Sequence, residues 1–413
     1  MVVRVPEIGR RLSLLDGIRV LDLTRFLAGP FGSLMLADMG ALVTKVEPLE
    51  GDSSRSIPPH KFDGESAYFL SINRNKRSVS MDLRTPESRE ILRRLIADSD
   101  IVLDNLRATQ RAKLGLDFDS LQRINPRVIS CSLTGFGSNG PYRDRPAYDM
   151  VVQALSGVMS LTGPVGGPSV RTGVPIGDVV AGINLVVGAL GALEYRHRTG
   201  TGTHIDISML DTQVSLLTYL AEYYLIAGVV AGHQGRAHLS LPTYNTFESG
   251  DGGEIVVVAG TDKLFRALCN VLGLPHLPDE PRFKDTSARL ENKDELLRQL
   301  RAAFAERSRD EVYAALREGG VPSAVVNSID EALRDPQVLA RDMVVKVPSQ
   351  QGNEYLSLGS PIKSEQAVGE PFYAAPSQGQ HNDEVLAAVG YSAEEIDKFR
   401  KLGVISPERS GDS

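Results

Sequence analysis

The chain has 413 residues, 42% hydrophobic and 23% charged, a globular composition that excludes disordered and fibrous proteins and is too long for one ordinary core. A formal charge of −7 argues against a phosphate-backbone partner, so no nucleic acid is expected. Two cysteines, Cys131 and Cys269, cannot build a disulfide framework or a four-cysteine zinc site, and the seven scattered histidines lack ligand spacing, so no metal is expected.

The N-terminal residues 1–17 lack the apolar core of a signal peptide. Residues 18–23 are a short run of β-formers and predict a strand. Pro30 suits the first turn of a following helix and Gly40 its C-terminal end. Further strands are predicted over 41–46, 79–83, 101–103 and 128–133, and Pro86 opens a helix with Ile91, Leu92, Leu95 and Ile96 at helical spacing. This alternation predicts a parallel sheet covered on both faces, a large doubly wound, Rossmann-like α/β domain.

After Ala147 the pattern turns to long helices, predicted over 178–195 and 209–231. Gly182, Gly188 and Gly191 weaken an isolated helix and predict a close backbone approach, for example at a subunit interface. The apolar stretch 174–193 is interrupted by Asp178 and Asn184. A membrane span needs ~20 residues nearly free of charge, so the stretch is read as a buried helix. A second α/β pattern begins near Leu241, with strands over 255–258 and 321–326 and helices around 263–272 and 292–304. The Pro-, Gly-, Ser- and Gln-rich tail from 344 is expected to return to the first domain. The predicted organisation is a large domain over 1–215 completed by 345–413, with a linker and a smaller α/β domain over 216–344. A soluble, cytoplasmic protein with no membrane partner is expected.

GFGSNG, residues 135–140, fits G-x-G-x-x-G after a strand. A dinucleotide fingerprint also needs a helix to start within the glycines. Pro141, the run Arg143-Asp144-Arg145 and Pro146 follow instead. The segment is therefore read as a glycine loop, against an NAD-dependent dehydrogenase. No P-loop, G-x-S-x-G elbow or H-E-x-x-H signal occurs.

NRNKRS, residues 73–78, places Arg74, Lys76 and Arg77 in a loop entering a strand. It is either a solvated basic turn or a phosphate-ester site on an otherwise acidic protein. Asp178, in GVPIGDVVAG, stands where a helix begins. It is either an N-cap or a carboxylate nucleophile kept ionised by the helix N-terminus. Asp149, in AYDMVVQALSG, offers the same cap or a second carboxylate near the first. Arg171 either pairs with a substrate carboxylate or faces solvent.

Several segments in order then resemble the class III, formyl-CoA transferase-like CoA-transferases: LDGIRVLDLTRFLAGP, LADMGALVTKVEPLEGD, NRNKRSVSMDLRTPE, DIVLDNLRATQRAKLGL, NPRVISCSLTGFGSNGPY, YDMVVQALSG, PIGDVVAG, EYRHRTGTGTHIDISML and GVPSAVVNSIDEALRDPQVLARDM. The resemblance runs from Leu15 to Met343. It implies that Asp178 is the nucleophile and that Asp149 lies beside the reacting centre. Met81, Asp82, Leu83 and Arg84, with Asn105, Leu106 and Lys113, fall where relatives hold the adenine and phosphates of coenzyme A, and Leu27 and Ala28 match the segment lining the thioester end. The family's fold is a large Rossmann-like domain plus a small domain in an interlocked homodimer.

Related α-methylacyl-CoA racemases place a histidine where this chain has Tyr148. A tyrosine with an unperturbed pKa near ~10 is a poor base at neutral pH, which favours transfer over racemisation. The glycine-rich lid of the formyl-CoA enzyme has no counterpart beyond AGHQGRAHLSLP, residues 231–242. The expected activity is transfer of CoA from an acyl-CoA, succinyl-CoA by preference, to a small dicarboxylic acid through an aspartyl-CoA thioester. CoA is then a substrate and no tightly bound cofactor is expected. Arg74, Lys76 and Arg77 are expected at the CoA phosphates, and Tyr148, Arg171, His233 and Arg236 at the substrate acids. A racemase-like acyl-CoA isomerase and a non-catalytic CoA-binding protein are the alternatives.

Overall fold

The computed structural model describes residues 6–238 and 240–407. Residues 1–5 of the N-terminal stretch, Leu239 of the 231–242 segment and residues 408–413 of the tail lie outside the described residues. The chain forms two compact units. The first contains residues up to Val158, Arg171–Tyr219 and the chain from Asp335 onward; the second contains Met159–Val170 and Leu220–Arg334.

The first unit alternates β1 (Arg19–Asp22), α1 (Ala28–Asp38), β2 (Leu42–Glu47), α2 (Ala67–Asn73), β3 (Lys76–Ser80), α3 (Pro86–Ala97), β4 (Ile101–Asp104), α4 (Ala108–Leu114) and β5 (Ile129–Thr134). Then come α5 (Asp149–Leu155), α6 (Ile176–Thr199) and β6 (His204–Ser208). The six strands form one parallel sheet in the order β3-β2-β1-β4-β5-β6. Residues such as Leu21, Val43, Val102 and Ile129 are fully covered, as expected of parallel strands with helices on both faces. One face carries α1 and α6, through Leu36, Leu185 and Ala189. The other carries α3 together with the C-terminal segment, whose Val385, Leu386 and Ile396 pack with Leu21, Val79 and Ile91. Strand order reverses between β1 and β4, and in such sheets ligands bind outside the carboxyl ends of the strands at that reversal.

Local rules account for most element ends. Pro30 lies in the first turn of α1, and Gly40 just beyond it has φ +108°, a conformation only glycine adopts cheaply. Two of the three glycines of α6 have a close approach within the chain, and Gly191 meets nothing within 4 Å. A Cβ on Gly182 would lie 2.6 Å from the Ala28 carbonyl oxygen of α1, and one on Gly188 would lie 2.7 Å from Ile205. α6 is long and apolar enough to cross a membrane, and it packs on α1 at Gly182 and on β6 at Gly188. The helix predicted over 209–231 is two helices, α7 (Met209–Ser215) and α8 (Thr218–Ala227), because Thr218 takes a positive φ of 43°. After the glycine loop at 135–140 no helix starts until Asp149, so none begins within the glycines; the loop is instead met by the first turn of α7, whose Leu210 N–H donates to the Gly135 carbonyl at 3.0 Å.

The second unit is built on a four-stranded antiparallel sheet, in the order Ala237–His238, Leu241–Glu248, Glu254–Val258 and Ser323–Val325. Its helices, including Asp262–Val271, Lys293–Ala305 and Arg309–Glu318, close a core around Phe247, Phe265 and Phe304. The turn at 249–253 is too short for a parallel crossover, so the pairing there is antiparallel.

The basic loop is the main correction. Strand β3 begins at Lys76, earlier than the predicted 79; Arg74 and Lys76 are interior, and Arg77 is half-buried and already paired. Arg74 is buried and forks onto Asp38 at 2.6 and 3.2 Å. The Lys76 ammonium is fully buried among the Pro30 carbonyl (3.0 Å), Asn73 Oδ1 (2.9 Å) and Asp22 (3.5 Å). Arg77 is held by Glu384 and Thr44, each at 2.9 Å. A guanidinium or ammonium already paired inside the protein is not free for a phosphate, so none of the three carries over as a CoA ligand. Removing one member of a buried pair leaves the other charge uncompensated, at a cost of about 3–5 kcal/mol. Lys76→Met should therefore lower unfolding stability by about that amount in denaturant titration while leaving the CoA affinity of the folded fraction unchanged; a selective loss of affinity at full stability would restore the phosphate reading.

Candidate active site

At the sheet's switch point the chain turns after β1, β4 and β5 leave a cleft of about 310 Å³ whose lining residues all come from the first unit. The turn after β1 brings Arg25 to Ala28, that after β4 brings Asn105 to Arg107, and Gly135 follows β5. Tyr148 and Asp178 complete the wall, with Tyr68 of α2.

Asp178 is the third residue of α6 and is not its cap. The N-cap position is Pro175, which offers no side-chain acceptor. That role falls to Asp149 at the start of α5, whose Oδ1 accepts the Gly177 N–H at 2.7 Å. Asp149 Oδ2 accepts from the amide of Gln153, also at 2.7 Å. The Asp178 carboxyl has no hydrogen-bond or ion-pair partner among the described residues. Burial, and then the negative charge of Asp149, push its pKa up to about 7. This outweighs the pull of the helix N-terminus toward ionisation. Tyr68 is pushed up to about 12 by burial first and by Asp178 next, so its hydroxyl stays protonated and faces the cleft as a donor.

The loop after β1 is pinned from below. Asn105 accepts the Arg25 N–H at 3.0 Å and donates to the Arg25 carbonyl at 2.8 Å. Lys45 donates to the Thr24 carbonyl at 2.8 Å and pairs with Asp52 at 2.7 Å. Burial acts to raise the Asp52 pKa, but Lys45 more than offsets it and holds the carboxyl at about 2. Asp52 Oδ1 in turn accepts the Phe26 N–H at 3.4 Å. Phe26 has φ +64° and meets Tyr148 edge-on at 6.3 Å.

Two further cavities share lining residues with the cleft. One, of about 260 Å³, has an apolar wall of Leu23, Val46 and Leu106 with Arg84, Arg89 and Lys113 at its edge. The other, of about 230 Å³, is lined by Met81, Asp82, Leu83 and Arg84. Arg25 lines all three spaces, and its guanidinium has no carboxylate partner among the described residues.

The structure therefore gathers Leu27, Ala28, Asn105, Leu106, Tyr148 and Asp178 around one cleft, and Met81 to Arg84 with Lys113 around the spaces beside it. Arg171 is exposed and lines none of them. His233 and Arg236 belong to the second unit, where the imidazole contacts Pro164 O and Ser169 Oγ at 3.1 Å each and Arg236 pairs with Glu254 at 2.5 Å. Arg25, Tyr68, Arg107, Arg143, Arg145 and Gln153 escaped the sequence reading. The available signals were Arg25 inside LDLTRFLAGP and the run Arg143-Asp144-Arg145; nothing around Tyr68 distinguished it. Among the described residues no group of three His, Cys, Asp or Glu side chains could hold a metal ion.

Comparison with known proteins gives the same picture at family level. A family model described as CoA-transferase family III matches residues 15–382. The chain is 39% identical over 380 residues to a succinate–glutarate CoA-transferase of Agrobacterium fabrum, covering 90% of this chain and 95% of the relative. It is 36% identical over 385 residues to a succinyl-CoA:mesaconate CoA-transferase of Haloarcula hispanica, covering 91% and 96%. The crystal structure of a CAIB/BAIF family protein from Brucella suis superposes with a TM-score of 0.83 at 36% identity, covering 92% of this chain and 100% of that one.

Proposed function

The chain belongs to CoA-transferase family III, and from that premise we propose that it moves coenzyme A from succinyl-CoA to a small dicarboxylic acid by covalent catalysis at Asp178. Support for these acids comes from the activities named for its relatives on succinate, glutarate and mesaconate. The observation that carries the site assignment is the unpartnered Asp178 carboxyl, lining the cleft with its pKa raised to about 7. A desolvated carboxylate of raised basicity is a better nucleophile than a solvated one.

Ionised Asp178 attacks the thioester carbonyl, forming a mixed anhydride and releasing CoA thiolate. The thiolate attacks the aspartyl carbonyl, giving an aspartyl-CoA thioester and free succinate. The acceptor carboxylate attacks this thioester, forming a second anhydride and releasing the thiolate again. The thiolate then attacks the acceptor's acyl carbonyl, which yields the new acyl-CoA and restores Asp178. One thioester replaces another, so no phosphoanhydride is consumed. Retaining the thiolate in the cleft makes its return effectively unimolecular, and the protonated Tyr68 hydroxyl is placed to donate to a developing oxyanion.

The CoA chain fits the connected cavities. Its adenine suits the apolar wall of Leu23, Val46 and Leu106, with Lys113 and Arg89 at the edge. Its phosphates then fall at Arg25, between that wall and Asp178. The acceptor's distal carboxylate is assigned to Arg143 or Arg145, which line the Asp178 cleft, in place of Arg171, His233 and Arg236. We also read the enzyme as a cytoplasmic homodimer. In the first unit α6 leaves Ile183, Val187 and Leu190 exposed, and in the second α8 leaves Tyr224, Leu225 and Ile226 exposed, two apolar faces that a second copy would cover.

Asp178→Ala should lower turnover by about 10⁴-fold. Wild-type enzyme incubated with succinyl-CoA should carry a CoA-sized adduct on the peptide spanning 171–195, seen by mass spectrometry; near-normal turnover of the variant defeats the assignment. Arg25→Ala should weaken CoA binding in calorimetry by about 10- to 100-fold, the worth of charge-assisted hydrogen bonds, and unchanged affinity removes Arg25 from the phosphate path. Sedimentation equilibrium of the soluble protein should return twice the chain mass; a single-chain mass refutes the dimer.

A further inference from the structure

Gln153 stands one helical turn after Asp149 on α5 and is fully buried. Both ends of its amide are engaged. Nε2–H donates to Asp149 Oδ2 at 2.7 Å, and Oε1 accepts the Thr172 N–H at 3.0 Å. A backbone N–H can only donate, so the oxygen must face Thr172 and the NH₂ must face Asp149. Asp149 Oδ1 accepts the Gly177 N–H. The path Thr172–Gln153–Asp149–Gly177 thus ties both ends of the segment 172–177 to α5, immediately before Asp178. No room remains for slack at its far end: a Cβ on Gly177 would sit 2.8 Å from Asp149 Oδ1.

We propose that Gln153 is a positioning residue for the transfer reaction, its buried amide clamping Asp149 and the entry to α6 so that the two aspartates meet in one fixed arrangement. The inference rests on Asp178 being the nucleophile. Gln153 touches neither substrate nor reacting atoms, and acts by fixing where Asp149's charge lies relative to Asp178. Without the clamp, the Asp149 carboxylate is free to rotate away from Gly177 and from its neighbour.

Other titratable groups around the pair do not supply that control. Tyr68 of α2 and Tyr148 line the cleft with Asp178, as do Arg25, Arg107, Arg143 and Arg145. On the elements packed against α6, Asp38 of α1 is taken by Arg74, His204 of β6 by Ser130, and Asp206 by Ser138. Cys131 of β5 is held neutral, its pKa pushed to about 12 by burial first and Asp104 next, and Asp211 of α7 is exposed. Asp149 is the charge that acts on Asp178.

The test is the pH profile of kcat/KM for succinyl-CoA in two full-length variants, each checked for folding by thermal unfolding. Gln153→Glu keeps the shape and the Thr172 bond, and because two carboxyls at hydrogen-bond distance cannot both ionise, its protonated form still donates to Asp149 and the pair carries one negative charge. Gln153→Met keeps the volume and removes both polar ends. In the wild type the acid limb should lie near pH 7, set by Asp178. Gln153→Glu, which keeps the clamp, should leave the limb in place. Release of Asp149 should move it down by about one unit in Gln153→Met, with kcat reduced about tenfold and KM for succinyl-CoA changed less than about twofold. A Gln153→Met profile that superposes on the wild type, or falls uniformly without a displaced limb, overturns the proposal. Should Gln153→Met fail to fold, Gln153→Asn, whose shorter amide cannot reach both partners, takes its place with the same expectation. Asp178→Ala separates the two failures: if that variant is inactive while the Gln153→Met limb does not move, only Gln153's role falls, and if it is active, the nucleophile assignment falls with it.

Discussion

The hydrogen bond from the Gly177 N–H to Asp149 is the contact on which the site depends. A helix that starts beside a cleft must find acceptors for its first N–H groups. α6 begins after Pro175, which has no side chain able to help. Had Asp178 turned back to cap its own helix, its carboxylate would be occupied and lowered in basicity. Because α5 supplies the acceptor from outside, Asp178 is left unpaired at a half-buried position and lines the cleft. The same acceptor brings a second carboxylate near the first, so the contact that frees Asp178 also raises its pKa. Structural satisfaction and chemical activation come from one side chain, and the glycine at 177 is what lets it approach.

The opposite wall of the cleft is held by a different device. A phenylalanine at φ +64° is strained, at a cost of order 1–3 kcal/mol that surrounding contacts must over-determine. They do so from several directions. Asp52 takes the Phe26 N–H, Asn105 brackets the Arg25 backbone, Lys45 reaches the Thr24 carbonyl and Lys76 the Pro30 carbonyl. Two lysines from neighbouring strands thus fasten both ends of the turn, and three of their charge partners, Asp22, Asp52 and Glu47, are buried with them. Such a network is weak evidence for net stability, but it fixes the backbone path of residues 24–30, on which the thioester end of the ligand would lie.

The sequence and the structure part company where chemistry depends on burial. Alternating apolar runs revealed the parallel sheet, because strands buried on both faces must be apolar along their length. Pro30 and Gly40 marked α1 because their effects are local to the backbone. The charges of NRNKRS were misplaced because a basic tripeptide looks the same on a surface loop and inside a protein; only Asp22 and Asp38, distant in sequence, decide between them. The glycines of α6 announced a close approach, yet not its partner: Gly182 meets α1, far back in the chain, Gly188 meets Ile205 of β6, and Gly191 meets nothing within 4 Å. Asp178 and Asp149 were each legible as a cap or a catalyst; in the structure Asp149 caps the helix of Asp178, a pairing that no local pattern announces. Tyr68 carried no local signal, since what distinguishes it is the space it faces, and Arg25 had only its place inside LDLTRFLAGP.

The raised basicity of Asp178 also suits both halves of an exchange. A carboxylate with an ordinary pKa near 4 resembles the acids being exchanged and gains nothing as an attacking group over them. A group near 7 attacks the thioester more readily and still departs as a carboxylate when the thiolate reaches the second carbonyl of the anhydride. It remains less basic than a free thiolate, whose parent thiol titrates near ~8.5, so the adduct formed when the thiolate attacks the acceptor carbonyl of the anhydride expels the carboxylate and not the thiolate. Burial alone would leave this value dependent on how much water follows each substrate into the cleft. Burial is the larger cause of the shift and the charge of Asp149 the smaller; that smaller contribution is fixed beside Asp178 by hydrogen bonds and stays while the donor acid leaves and the acceptor enters.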